Sequence, residues 1–116
     1  FYLTRIDCED NAVTVMLIFC TVPDEEAAKS ISFALVKEGL CACVNQVPKV
    51  TSYYIYDGEF CEDSELLLLI KTAPSHFKTL EARLNELHPY DVPEIIGVRI
   101  SEISTEYEKW LLTALR

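Results

Sequence analysis

The sequence contains few basic residues and few histidines, and this restricts the kinds of partner that the protein can bind. Lys and Arg total 10 against 19 Asp and Glu, so the formal net charge is −9, and there are only two histidines. The basic residues do not cluster. A surface of this charge repels phosphate-coated partners and attracts cations. We therefore expect no nucleic-acid binding.

Long apolar runs and paired cysteines are missing as well. The longest apolar runs, VMLIFC and LLLLI, are far shorter than the roughly 20 residues that span a bilayer, so we expect no direct membrane insertion. The five cysteines are an odd number without a C-x-x-C pair. This pattern favours free thiols in a reducing compartment, and we expect the cytoplasm. The sequence begins with Phe1 rather than Met, so a targeting segment that precedes it in the full protein is a second expectation.

The length and the apolar content predict one folded domain. Half of the 116 residues are apolar, which is enough for a single core. Residues 1–12 show no clean period and read as an N-terminal arm, so the domain is expected over residues 13–116. Its strands are predicted at 13–20, 40–56 with a bulge at Pro48, 60–72, and 94–100.

Turn and cap signals separate these strands. Asp24 is expected to cap a first helix that ends at Gly39. Asp57-Gly58 predicts a type I′ hairpin turn. A second helix follows Pro74 and stops at His88, because Pro89 disfavours helical geometry in the residue before it.

A third helix is expected at the end of the domain. Thr105 and Glu108 have the spacing of a capping box at its start. Its apolar stripe predicts that Trp110 is buried.

The order of these elements predicts an α+β fold. Strand, helix, strand, strand, helix, strand is the ferredoxin-like, split βαβ pattern: a four-stranded antiparallel sheet with two helices on one face, here with an added C-terminal helix. Right-handed crossovers leave the first and third strands in the middle. Those two strands carry the most apolar runs, which supports the assignment.

This topology brings three distant polar residues to one end of the sheet. Cys20 ends the first strand, His88 ends the second helix, and Glu94 precedes the last strand. A thiolate, an imidazole and a carboxylate suit a soft or borderline divalent metal such as copper or zinc. The alternative is structural: a core cysteine, a histidine at a helix end and a solvated carboxylate.

Two further readings of the cysteines are open. Cys20, His88 and Glu94 could form a nucleophilic site, but none of the three glycines adjoins Cys20 to build an oxyanion hole, so we expect no enzyme. Cys41 and Cys43 share one strand face in the predicted strand. They fit buried apolar packing better than a second soft-metal site.

Five blocks of the sequence resemble one family over nearly all of residues 13–115. They are FCTVPDEEAAKSI, LCACVNQVPKVTSYYIYDGE, ELLLLIKT, LHPYDVPEI and YEKWL. In this order they resemble the CutA divalent-cation tolerance family. The resemblance implies a homotrimer in which the long second and third strands pair across subunits, with copper or another divalent cation bound.

The resemblance also assigns residues. Cys20 and His88 match the metal-linked cysteine and histidine of the family. Glu94, which the topology places beside them, is the candidate third ligand. Leu87 stands where some bacterial members have a second histidine. The expected function is therefore copper binding and divalent-cation tolerance. The alternative is a PII-like trimer for signalling or scaffolding that binds a small ligand or a protein partner between subunits.

Overall fold

The computed structural model describes residues 14–116, so the predicted N-terminal arm, residues 1–12, lies outside the described part. A single turn of 3-10 helix at Pro74–His76 precedes the second α-helix. The elements, in chain order, are β1 (Met16–Val22), α1 (Glu25–Lys37), β2 (Cys43–Tyr56), β3 (Glu59–Thr72), α2 (Phe77–Leu87), β4 (Ile96–Arg99) and α3 (Thr105–Thr113).

The four strands form one antiparallel sheet in the order β2-β3-β1-β4. β1 and β3 lie in the middle, as predicted, and the long β2–β3 hairpin extends one side of the sheet. This is the ferredoxin-like α+β architecture expected from the order of the elements. β1 begins three residues later than predicted, at Met16, and continues two residues past Cys20 to Val22.

Two backbone features shape the hairpin. The β2–β3 register shifts between Val47 and Val50, next to Pro48, and Lys49 has a φ of 59°. This confirms the predicted bulge. At the other end of β2, Asp57 and Gly58 have φ values of 54° and 81°, as the two central residues of a type I′ turn require.

The main core lies between the sheet and the first two helices. Alternate residues of β1 and β3 face these helices because side chains alternate across a strand. The fully buried members of this core are Ile18, Cys20 and Val22 of β1, Leu68 and Ile70 of β3, Ala28, Ile31 and Leu35 of α1, Leu80 and Leu84 of α2, and Cys41. We call this side of the sheet the covered face and the other side the open face.

Asp24 and His88 lie at helix ends as predicted, whereas the cap of α3 is displaced by one residue. Asp24 caps α1 by accepting the Ala27 N–H at 2.8 Å. α2 ends at Leu87, with His88 as its C-cap in extended geometry. α3 is capped by Ser104, one residue before the predicted Thr105, because the Ser104 hydroxyl accepts the Tyr107 N–H at 3.4 Å.

The expectation that Trp110 is buried is wrong. α3 buries Leu111 against Val15 and Ala42 in a small second core, whereas Trp110 is 48% exposed. The apolar stripe of α3 is wider than the surface that it covers. Trp110 instead contacts Tyr107, with 5.5 Å between ring centroids, on the flank of the helix. No helix between residues 14 and 116 is long and apolar enough to cross a membrane.

Candidate functional site

Cys20 lies on β1 and faces the main core. Its side chain is fully buried, and its thiol contacts the Thr21 carbonyl oxygen at 3.8 Å. Burial raises the pKa of the Cys20 thiol to about 12, and the negative charges of Glu94 and Glu65 add to the increase. The thiol is therefore protonated at neutral pH unless a cation displaces its proton.

His88 joins the end of α2 to the end of β1. Its Nε2 lies 2.8 Å from the Thr21 carbonyl oxygen, and its Nδ1 lies 3.1 Å from the backbone nitrogen of Tyr90. A carbonyl can only accept and a backbone N–H can only donate, so Nε2 carries the hydrogen and Nδ1 accepts. The ring is buried and has partners at both nitrogens.

The structure brings the three predicted residues to the same end of the sheet. His88 bonds to the residue after Cys20, and Glu94 lies close enough for its charge to act on the Cys20 thiol. Glu94 is exposed, whereas Cys20 and His88 are buried. Among the described residues, no three His, Cys, Asp or Glu side chains form a group that could hold a metal ion.

A second set of polar residues at this end was missed from the sequence. Glu65 on β3 is only 7% exposed. One of its carboxylate oxygens accepts the Ser52 hydroxyl at 2.6 Å, and the other accepts the Tyr90 hydroxyl at 2.7 Å. Burial, and then the hydrogen bond to Glu65, raise the pKa of Tyr90. Through Tyr90 this set connects to His88.

These residues border a cleft of about 860 Å³ at the end of the open face. Its lining includes Thr21, Ser52, Glu65, Tyr90 and Glu94. Three further tyrosines from β2 also line it: Tyr53, Tyr54 and Tyr56. We call this space the tyrosine cleft. The sequence analysis did not detect it, because the cleft combines residues from β1, β2, β3 and the loop after α2.

Cys41 and Cys43 do not share a face as predicted. Cys41 precedes β2 and is buried in the main core, where burial raises the pKa of its thiol to about 12. Cys43 opens β2, is partly exposed, and contacts the Asn45 side chain at 4.0 Å. The chain bends at Ala42, between the two residues, so Cys41 faces the main core while Cys43 begins the strand.

The fold and the cleft together define a class: a ferredoxin-like α+β protein with polar residues gathered at one end of the sheet. Residues 16–114 match the family described as CutA1 divalent ion tolerance protein. The chain belongs to this family.

Relatives and solved structures agree with this assignment. A divalent-cation tolerance protein CutA of Thermus thermophilus is 52% identical over 95 residues, which are 82% of this chain and 92% of that protein. The chloroplastic protein CutA of Arabidopsis thaliana is 39% identical over 117 residues, which cover 99% of this chain but 64% of that protein.

Among solved structures, the divalent cation tolerance protein Cut A1 of Thermus thermophilus superposes with a TM-score of 0.85 at 48% identity. The match covers 88% of this chain and 99% of that one. The similarity therefore includes both the sequence and the arrangement of the elements.

Proposed function

We propose that the chain binds a soft divalent cation, with copper as the first candidate, and acts in divalent-cation tolerance. The family and the names of the relatives support this role. The observation that carries the proposal is the 2.8 Å contact between His88 and the carbonyl after Cys20, at the end where Glu94 also lies. Cys20 lies 68 residues before His88 and 74 residues before Glu94 in the chain, so the fold alone brings the sulfur ligand to the other two.

The donor set determines the expected selectivity. On binding, Cys20 would supply sulfur, His88 nitrogen and Glu94 oxygen. The side chains would have to move together, because the described residues hold no assembled group of three ligands. Thiolate and imidazole favour copper over magnesium and calcium, which prefer shells of oxygen. Glu94 is exposed and can attract the ion from solvent. Cation binding at Cys20 must displace the thiol proton, and ligation by His88 through Nδ1 must displace the Tyr90 N–H.

We propose that the functional unit is a homotrimer. The resemblance to the family gives the number of subunits, and the surface supports association. Large apolar side chains are exposed along the hairpin and at the sheet edge, among them Ile55, Phe60, Ile96 and Val98. Natural proteins cover such patches and edges, and a second copy of the chain does so directly.

We also propose that the protein works in a reducing compartment, the cytoplasm. The four cysteines of the described part, Cys20, Cys41, Cys43 and Cys61, are free thiols. A thiol ligand is available for a soft cation only while it is reduced.

Calorimetric titration with copper tests this function. Wild-type protein should bind about one ion per subunit and release about one proton per ion, seen as a dependence of the heat on the buffer. Cys20→Ser should lose the proton release and most of the affinity, and His88→Ala should weaken binding. Cys61→Ser, on the hairpin, is the matched control. Unchanged binding by both Cys20→Ser and His88→Ala would contradict the proposal.

A second candidate function is favoured by the tyrosine cleft. A trimeric signalling or scaffolding module needs a site for a small ligand or a protein partner, and a cleft of about 860 Å³ is large enough for a small molecule. In that case copper binding would be absent or insensitive to Cys20, and Cys20 and His88 would only hold β1 and α2 together. The same titration therefore separates the two functions.

A further inference from the structure

The tyrosine cleft has a lining suited to one chemical class of ligand. Four tyrosines border it: Tyr53, Tyr54, Tyr56 and Tyr90. Tyr53, Tyr54 and Tyr56 are exposed. Aromatic rings carry negative charge on their faces and attract cations that come within about 6 Å of the ring centre.

The hydroxyl groups of two of these tyrosines are held by carboxylates. Tyr54 donates its hydroxyl to Asp63, and Tyr90 donates its hydroxyl to Glu65 at 2.7 Å. The hydrogen bond to Asp63 raises the pKa of Tyr54 to about 12, so Tyr54 is a neutral phenol at physiological pH. These bonds fix where the two rings lie, and they place a carboxylate behind each hydroxyl.

The charge of the cleft is negative and is not balanced by its lining. Glu65, Asp91 and Glu94 are acidic, and none of the residues lining the cleft in the described part is basic. The ion pairs formed by described residues lie elsewhere, at Arg83 with Glu38 and Glu86, at Lys78 with Glu81, and at Lys109 with Glu106. Of the three acids only Glu65 is buried, and its carboxylate accepts hydrogen bonds from the Ser52 and Tyr90 hydroxyl groups.

The form of the cleft favours an organic cation over a metal ion. A hard metal ion needs several oxygen ligands at 2.0–2.6 Å. Within residues 14–116 no three acidic, histidine or cysteine side chains form such a group. The space of about 860 Å³ is within the range of small-molecule sites, and aromatic walls suit a weakly hydrated ion.

We propose that the tyrosine cleft binds a small organic ammonium ion, with the tyrosine rings around its alkyl groups and Glu65, Asp91 and Glu94 supplying the opposite charge. This site shares Glu94 with the proposed copper site, but it does not include Cys20, the main copper ligand. Cys20 faces the covered side of the sheet and does not line the cleft.

Tetramethylammonium and tert-butanol are the probes. They have similar size and shape, and only the first is charged. Each is titrated into the full chain labelled with ¹⁵N, at a constant ionic strength set with NaCl, and amide shifts of Ser52, Glu65 and Tyr90 are followed. We expect saturable binding of tetramethylammonium and binding of tert-butanol weaker by about tenfold or more.

Variants separate the cleft from nonspecific attraction to an acidic surface. Glu65→Gln keeps the shape of the side chain and removes its charge, and Tyr54→Leu removes one ring; each should weaken tetramethylammonium binding several-fold. Tyr107→Leu, an exposed tyrosine on α3, is the matched control and should bind like wild type. Cys20→Ser should also retain this binding, whatever its effect on copper.

Three results would overturn the proposal. They are no saturable binding of tetramethylammonium, equal binding of tert-butanol, and unchanged binding by Glu65→Gln and Tyr54→Leu together. If Tyr54→Leu does not fold, the charge variant and the neutral probe still decide the question.

Discussion

At the scale of single residues, burial controls the chemistry of two cysteines. Cys20 and Cys41 both lie in the main core, and burial raises the pKa of each thiol from a usual value of 9.0 to about 12. A neutral thiol packs there as a small apolar group, and a thiolate would be costly. The two differ in what surrounds them, because only Cys20 also feels the charges of Glu94 and Glu65.

The raised pKa of Cys41 makes stability depend on pH in the alkaline range. Above pH 9 the unfolded state ionises this thiol while the folded state keeps its proton until about pH 12. The folded state therefore binds more protons, and the free energy of unfolding falls as pH rises, by up to about 1.4 kcal/mol per pH unit. Below pH 9 the contribution is fully present.

Urea unfolding between pH 8 and 10.5 measures this contribution. Cys41→Ala should lower the stability at pH 8 and make its decline above pH 9 shallower than in wild type. Cys61→Ala, which alters a cysteine on the hairpin, should keep the wild-type decline. If the free energy of unfolding falls with pH equally steeply in wild type and Cys41→Ala, the Cys41 thiol has the same pKa in the folded and unfolded states, which contradicts this prediction.

The sequence predicted only some of the residues that meet at the candidate site. Cys20, His88 and Glu94 could be placed at one end of the sheet because the order of the elements alone determines which ends meet. Glu65 could not be recognised as a buried acid, because nothing in EDSELLLLI shows that Tyr90 and Ser52 reach its carboxylate. Hydrogen bonds between residues far apart in the chain leave no local pattern.

At the scale of elements, α3 shows that not every residue on the apolar side of a helix is buried. Apolar residues recur on one side of α3, but the sheet offers only enough surface to cover Leu111 fully. Strand and helix identities followed from the sequence, since alternation, turn residues and caps are local signals. Their boundaries and the depth of packing depend on neighbours, and β1 and the α3 cap are each displaced from the prediction for that reason.

Two substitutions in α3 test this packing. Leu111→Ala should reduce the free energy of unfolding by about 2–5 kcal/mol, because it leaves a cavity against Val15 and Ala42. Trp110→Ala should cost less than Leu111→Ala, since nearly half of the Trp110 side chain already contacts solvent. Urea unfolding in one buffer compares the two. A larger loss for Trp110→Ala would mean that its ring is covered in the assembled protein.

At the scale of the whole molecule, the tip of the β2–β3 hairpin and the edge of the sheet are apolar surfaces that an isolated chain leaves uncovered. Ile55, near the tip of the hairpin, is 69% exposed, and Phe60 on the next strand is exposed to a similar degree. Within residues 14–116, β2 is an edge strand with a free row of backbone hydrogen-bonding groups. Association through these surfaces would complete the sheet and cover the apolar side chains.

Sedimentation velocity tests this assembly. The wild-type protein should sediment at three times its subunit mass of 13.2 kDa at micromolar concentration. Ile55→Glu should shift the distribution toward monomer, because a charge at the hairpin opposes its burial. Ala82→Glu, on an exposed position of α2, is the control and should leave the trimer intact. A monomeric wild-type protein would contradict the assembly.

The most direct test of cation binding at Cys20 is X-ray absorption at the copper edge, on protein loaded with one copper ion per subunit. We predict one sulfur neighbour of copper together with nitrogen or oxygen neighbours, and loss of the sulfur signal in Cys20→Ser but not in Cys61→Ser. A spectrum with only nitrogen and oxygen neighbours in the wild type, or a sulfur signal that survives Cys20→Ser, would contradict the proposed role of Cys20.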